Sequence, residues 1–501
     1  MRSKNIFICL FILTALAGGG CRKFLDKKLL GDYTTTNYFT SDANAVLAVN
    51  AAYAPLSFTS GASNAIWVLG DVASDDAEKG GQAGDQADFD AIHQFNILPT
   101  NSAVEAVWQR YYDGVFKCNV VLDGLPASNT AVSDAVKKSV IAQARFLRAY
   151  YYFNLANCYG DIPLHLKVET PEELQSPAIA QDSIYRQVEQ DCLAAAPDLP
   201  ASVSGDDLGR VTKGAALALL AKTYLFHSTL ANHYQLAAQY AQQVENTPGY
   251  ELTKNYTDNF SAGTKINSEA IFSVNHLTGS SPVLGNELNA WFAPRSLGGY
   301  GFFYPTQDLV DNYEPGDPRL DYTMARQGHP YFDKPFDPSW TTTGYITKKM
   351  VQPLSEVPTS RKNDGSVNYE AIRLADILLV EAEALNESGN SLAALAPLEK
   401  VRKRARESYL NDPSLPGYGT IPAGLLPEIT TTDQGQLRTA IRNERRAELA
   451  LEFHRFFDVI RYGSAYATSA LSKNSANFNY EKNKWFPIPQ SERDANKKLG
   501  K

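Results

Sequence analysis

The sequence predicts an all-α chain in which tetratricopeptide-like helix pairs form a superhelical scaffold and one large irregular insertion bears the ligand face. Three observations lead there. Apolar residues recur at three- and four-residue spacing in successive segments, each stopped by Gly or Pro. Within the leading helix of a pair, small residues alternate with bulky ones, as at Ala215, Ala218, Leu219, Ala221 and Tyr224. Small side chains let helix backbones approach closely, and pairs of about 34 residues mark tetratricopeptide-type repeats. Between residues 250 and 368 the composition then shifts abruptly to Gly, Pro, Asn and Thr, with thirteen aromatic residues between Trp291 and Tyr345.

Taken in order, the chain opens with Arg2 and Lys4 ahead of an apolar run, residues 6–16, too short to span a membrane. Residues 1–20 read as a lipoprotein signal peptide, because small residues precede Cys21 and suit a lipoprotein signal peptidase, although Gly18 stands where Leu is usual. Cys21 is then the acylated N-terminus, heading a tether over residues 21–41 and giving the sole membrane attachment. Residues 42–501 are expected to form a single domain, with repeat segments at about 105–249 and 369–466 and the insertion at about 250–368.

Residues 42–56 predict a first short helix capped by Ser41 or Asp42. Residues 62–98 are Gly-rich and acidic and read as loop, whereas 105–122 returns to helix with Trp108, Tyr111, Tyr112 and Val115 on its core face. Helices follow at 135–159, 182–195, 212–226 and 234–245, then at 369–387 and 391–406. Inside the insertion, helical periodicity is confined to residues 306–313. The last stretch, residues 436–463, holds four acids, six arginines and one histidine without an internal Gly or Pro. It predicts one long helix whose Glu444, Glu448 and Glu452 form a like-charged column at i, i+4. Such a column needs partners, from Arg445, Arg455 or arginines on a neighbouring helix, and poses a choice between catalytic acids and a structural ion-pair network.

The formal net charge is −8, and loss of Arg2 and Lys4 with the signal makes it −10. An acidic surface argues against nucleic acid and against direct binding to anionic lipid. Cys118, Cys158 and Cys192 remain as an odd set on helical segments, expected as buried free thiols. The scattered histidines form no HExxH and no close Cys/His cluster, so no metal site or cofactor is expected. The stretch Asp85–Asp90 offers oxygens for calcium but lacks an EF-hand frame.

Several stretches resemble the SusD/RagB family, the surface nutrient-binding lipoproteins of Bacteroidetes. RFLRAYYYFNLANCYGDIPL (145–164) is similar to the family helix ending in Tyr-Gly-Asp-x-Pro, and KGAALALLAKTYLF (213–226) to its repeat helix. YEAIRLADILLVEAEALNESG (369–389) matches R-x-A-D-x-x-L-x-x-A-E-A, and residues 444–463 match E-R-x-x-E-L-x-x-E-x-x-R-x-x-D-x-x-R-x-G. WFPIPQSE (485–492) resembles the C-terminal Pro-Ile-Pro-x-x-Glu signature, although the chain ends where the family usually continues. The resemblance implies a cell-surface, lipid-anchored outer-membrane protein that captures oligosaccharide or polysaccharide and delivers it to a SusC-like TonB-dependent transporter. It also implies no catalysis. A peptide or other nutrient is the alternative ligand for the same architecture.

A sugar's C–H face stacks on an aromatic ring while its hydroxyls are read by Asp, Asn or Arg at the rim. That chemistry singles out Trp291, Tyr300, Phe302, Tyr304 and Trp340 in the insertion, with Trp67, Asp75 and Asp76 in the early acidic segment. Each ring has packing as its competing role, and each carboxylate capping or solvation. A glycoside hydrolase needs two carboxylates across the scissile bond, but the best-ordered acids stand among arginines on a repeat helix. Neither GxSxG, a P-loop nor a dinucleotide fingerprint occurs.

Overall fold

The computed structural model describes residues 38–281, 283–358 and 363–499. The signal, Cys21 and most of the tether therefore lie outside the described residues. Helix α1 (Asp42–Tyr53) starts at Ser41, whose hydroxyl accepts the Asn44 N–H at 3.3 Å. The scaffold continues through α2 (Ser102–Gly124), α3 (Asp134–Tyr159), α4 (Gln181–Ala195), α5 (Lys213–Phe226) and α6 (His233–Glu245). Asn101 caps α2, and Thr212 caps α5 by accepting the Ala215 N–H. From α2 onward each of these helices packs on its predecessor. The array resumes with α7 (Leu374–Glu387), packed on α6 although residues 246–373 intervene, and α8 (Ser391–Asn411) packs on α7. Cys118, Cys158 and Cys192 are buried free thiols.

Sequence periodicity misses elements in several places. Residues 62–98 are not loop: they hold a π-helical turn at Val68–Val72, strand β1 (Ala77–Gly80) and a short helix at Ala87–His93. In the insertion, β2 (Ala270–Val274), β3 (Phe302–Pro305), β4 (Met324–Ala325) and β5 (Ile346–Thr347) alternate with short helices, one of them at Gln307–Asn312 as the periodicity indicates. Residues 369–373, expected as helix, form strand β6 (Tyr369–Arg373). Strand β6 pairs antiparallel with β2, which closes the insertion at its base. A five-residue paired strand satisfies its backbone across the ladder, and that tertiary gain overrides local helix propensity.

A further difference is the charged stretch. It is two helices, α9 (Gln434–Leu449) and α10 (Arg455–Arg461), separated by a turn in which Leu451 and Phe453 take φ of 62° and 70°. Residues with a Cβ rarely hold that conformation unless the surroundings enforce it. Here the Asp71 carboxylate accepts the N–H groups of Phe453 at 2.8 Å and Arg455 at 3.1 Å. Gly70 admits the turn, because a Cβ there would lie 2.2 Å from the Phe453 carbonyl oxygen.

The glutamate column is a buried ion-pair network, and its partners come from other elements rather than from Arg445 or Arg455. Arg373 of β6 donates to Glu448 at 2.6 Å and to Glu452 through Nε and Nη2, both at 2.7 Å. Arg404 of α8 reaches Glu448 too, Arg402 reaches Glu444 at 2.9 Å, and Lys349 reaches Glu452 at 2.8 Å. Arg319, from the insertion helix Pro318–Thr323, bridges Glu444 and Glu448 at 2.5 and 3.1 Å. Arg445 instead joins Asp376 and Asp458, at 2.6 and 2.7 Å. Although burial alone would raise the Glu448 pKa, Arg404, Arg373 and Arg319 together hold it well below the usual carboxylate range.

Glu448→Ala should take one carboxylate partner from each of three buried guanidinium groups, Arg319, Arg373 and Arg404, and lower unfolding free energy by about 3–5 kcal/mol in chemical denaturation. A loss under about 1 kcal/mol would contradict the network's role. Glu370 behaves oppositely. Burial, then the nearby Glu269 charge, pushes its carboxyl up to about 8, and one of its oxygens has no hydrogen-bond partner among the described residues. The folded state then holds a proton that the unfolded chain releases above about pH 4.3, so this group costs stability as pH rises toward 8. Glu370→Gln should accordingly raise the melting temperature at pH 8 and change it little at pH 4.

Candidate functional site

Strand β1 pairs antiparallel with β3, matching Ala77 to Pro305, Glu78 to Tyr304 and Gly80 to Phe302. This pairing brings the early acidic segment against the aromatic insertion, across more than two hundred residues of sequence. Thr306 secures the end of the ladder, its hydroxyl donating to the Asp75 carbonyl at 2.6 Å and its N–H to the Asp76 carbonyl at 3.0 Å.

Most of the predicted site residues build this junction from within. Trp67 is fully buried, its indole N–H donating to the Gly61 carbonyl at 3.0 Å and its rings packed among Phe89, Phe292 and Phe303. Asp75 forms a bidentate pair with Arg455, at 2.7 and 2.8 Å, and Asp76 accepts from Arg446 at 2.7 Å. Both carboxylates are buried, so neither presents an oxygen to solvent as placed. Trp291 is 6% exposed and donates to Glu287 at 3.2 Å; Phe302 and Tyr304 are buried as well. These six side chains therefore serve the packing role in this structure rather than offering a ligand face. The physical reason is shared: a two-stranded ladder has too little backbone pairing to stand alone, and rings and ion pairs from both sides fix it.

Two predicted rings reach the surface. Tyr300 is 42% exposed and stands edge-on to Trp291, with ring centroids 5.7 Å apart. Trp340 is half-buried beside Phe336 and Tyr331, and its carbonyl accepts the Tyr304 hydroxyl at 2.9 Å. Between the two segments Arg295 pairs with Asp85, and that carboxylate also accepts the Gln82 N–H at 2.8 Å. Only one guanidinium nitrogen of Arg295 is engaged among the described residues, and its Cγ lies 3.2 Å from where a Cβ on Gly301, the residue after Tyr300, would stand. Near the β1–β3 ladder the structure thus leaves an outward ring at Tyr300, a half-buried indole at Trp340 and the Arg295–Asp85 pair. Arg295 carries no pattern that sequence reasoning could weigh, because it sits in a Pro-Arg-Ser-Leu-Gly-Gly turn. The remaining acids considered for calcium diverge, Asp88 accepting the Ser102 N–H and Asp90 the Gln94 amide. Among the described residues no group of three or more His, Cys, Asp or Glu is arranged to hold a metal ion.

The model of the SusD family matches residues 236–501. The chain belongs to the SusD family. A second family model, described as starch-binding associating with outer membrane, matches residues 23–225. A curated SusD-like protein P2 from Formosa agariphila is 26% identical, over 98% of this chain and 97% of its own. Among solved structures, a laminarin binding SusD-like protein is 30% identical over 91% of this chain and 98% of its own, with a TM-score of 0.75. Surface glycan-binding protein A from Bacteroides thetaiotaomicron, in complex with laminarihexaose, shares the fold at 24% identity and a TM-score of 0.75, covering 92% of this chain and 98% of that one. SusD-family membership agrees with the helical scaffold. The matched residues include the charged α9–α10 stretch.

For this SusD-family chain, Asp75→Asn should destabilise the fold by exposing Arg455 to an unpaired buried environment while leaving carbohydrate affinity unchanged. Thermal melts beside affinity electrophoresis separate the two effects; weaker retardation at an unchanged melting temperature would return Asp75 to the ligand face.

Proposed function

We propose that the chain binds oligosaccharide or polysaccharide at the cell surface and delivers it to a SusC-like TonB-dependent outer-membrane transporter. The reading places it as a lipid-anchored, non-catalytic cap on the outer membrane. The observation that carries it is the exposed Tyr300 ring next to strand β3, with the Arg295–Asp85 pair joining the same two segments that β1 and β3 pair. A pyranose stacks its C–H face on such a ring, while the guanidinium donates to a hydroxyl oxygen and the carboxylate accepts a hydroxyl proton. Family membership supports the ligand class, and the laminarin-binding and glycan-binding relatives support it further. Among the described residues no helix is long and apolar enough to cross a membrane, so anchoring rests on Cys21 in this reading. Weak binding suffices for a tethered cap, because tethering raises the effective ligand concentration at the channel.

The purified chain should bind at least one member of a broad glycan panel in affinity electrophoresis. Tyr300→Ala should weaken that binding about 2- to 12-fold, as expected for loss of one stacking ring. Absence of retardation across the panel would sink glycan capture, and an unaffected Tyr300→Ala variant would remove this patch from it.

A further inference from the structure

A cavity of about 660 Å³ opens in the helical scaffold and shares no lining residue with the aromatic patch. Its floor is one face of α2, where Trp108, Tyr112 and Phe116 follow one another at i, i+4 and i+8. That spacing sets the rings about 6 Å apart along the helix axis. Trp108 is buried and supports Tyr112, their ring centroids 4.7 Å apart, whereas Phe116 is 53% exposed. An aromatic stripe at helical spacing is ordinarily core. This one ends in an open cleft.

The walls are held in place before any ligand arrives. Asn119 donates to the carbonyls of His165 and Lys167, at 3.0 and 3.1 Å, and the Tyr112 hydroxyl donates to the Pro163 carbonyl at 2.7 Å. Asp123 accepts the Val168 N–H at 2.7 Å. On the far side Asn496 donates to the Ser176 carbonyl at 2.8 Å, and Ser491 to Glu105 at 2.6 Å. Segment 163–176 is thus pinned to α2 along one edge and to the C-terminal helix Gln490–Ala495 along the other. Over the aromatic floor stand Gln109, Asp113, Lys167, Gln175 and Glu492. Among the described residues the side chains of Gln175 and Glu492 make no hydrogen bond or ion pair.

We propose that this cleft is a second oligosaccharide-binding site. Its volume lies in the range of small-ligand sites, about 300–1,000 Å³, and its make-up of apolar floor with a few convergent polar groups is theirs also. The rim decides the ligand class. An apolar protein segment laid on Phe116 and Tyr112 would desolvate Gln175 and Glu492 without supplying partners, at a cost of about 1–3 kcal/mol for each. A sugar chain stacks on the same rings and turns hydroxyls toward those two side chains, the glutamate accepting and the amide both donating and accepting. The fixed walls keep the ordering cost low. The inference rests on glycan as the ligand class, but it does not rest on the Tyr300 patch.

Calorimetric titration of the full chain with laminarihexaose and a panel of other hexasaccharides tests it. Two binding events per chain are expected for the recognised sugar. Tyr300→Ala should weaken one of them about 2- to 12-fold, Phe116→Ala with Gln175→Ala should weaken the other by at least as much, and the combined variant both. Phe116 and Gln175 are exposed, so these substitutions should keep the wild-type melting temperature; Glu492→Gln, on the other wall, should weaken the same event as an independent check. A single event untouched by Phe116→Ala and Glu492→Gln overturns the cleft and leaves the patch standing. A single event weakened by Phe116→Ala and unchanged in Tyr300→Ala upholds the cleft and overturns the patch. No binding by any hexasaccharide overturns both.

Discussion

The charges around Arg373 constrain the rest of this fold. Arg373 is the last residue of β6 and the N-cap of α7, so it stands where the insertion returns to the repeat array. From there it contacts Glu269 beside β2, Glu448 in α9 and Glu452 in the turn after α9. One guanidinium therefore joins the base of the insertion, the repeat scaffold and the C-terminal helices. Removing two or three charges from water is costly, and an apolar cluster of equal volume would hold such elements together as well or better. What charges add is direction. Each carboxylate in the column accepts from donors on at least two other segments, so the elements satisfy the network in one mutual arrangement.

That arrangement bends the chain. An uninterrupted helix through residues 450–454 would carry Glu452 onward at helical pitch with Glu444 and Glu448. Instead the turn lets Glu452 meet Arg373 and Lys349 while Asp71 caps the next helix. The strained φ values at Leu451 and Phe453 are sustained because Asp71 and Gly70 over-determine the turn from outside. The same segment then sends Arg455 to Asp75, and α9 sends Arg446 to Asp76. The β1–β3 junction next to Tyr300 is thereby braced by the arginines of α9 and α10.

Much of the fold was legible in the sequence because helical periodicity is local. The boundaries of α1, α3, α5 and α7 follow from Ser41, Gly160, Thr212 and the Ser388-Gly389-Asn390 stop, each acting on its immediate neighbours. What escaped was set by partners far away in the chain. Residues 369–373 are helix formers that become strand because β2 lies beside them, and residues 77–80 have no strand pattern of their own. For the candidate site the sequence indicated a region, within which the structure buries most of the side chains named. Gly- and Pro-rich sequence around Trp291 suggested rings held outward, yet a ring's exposure depends on what packs behind it. Trp67 and Phe302 enclose Trp291, and only Tyr300 is left at the end of the row. Phe116 escaped for the converse reason: its helix is a core helix everywhere except along the one face that segment 163–176 leaves uncovered.

The burial of most of the predicted rings bears on what the exposed one can do. A tyrosine on a mobile loop must be ordered before it can hold a sugar, and that ordering costs about 0.5–1.5 kcal/mol for an immobilised side chain. Tyr300 is already ordered. Its N–H donates to the Ala290 carbonyl at 2.7 Å, its ring edge meets Trp291, and Trp291 is fixed in turn by Glu287 and Trp67. Stacking energy at one ring is small, so a shallow patch gains most from not spending it on order. A row of aromatic residues with a single exposed member is therefore a better platform than several loosely held rings. Trp67, Trp291 and Phe302, which the sequence singled out as ligand contacts, pack behind Tyr300 instead.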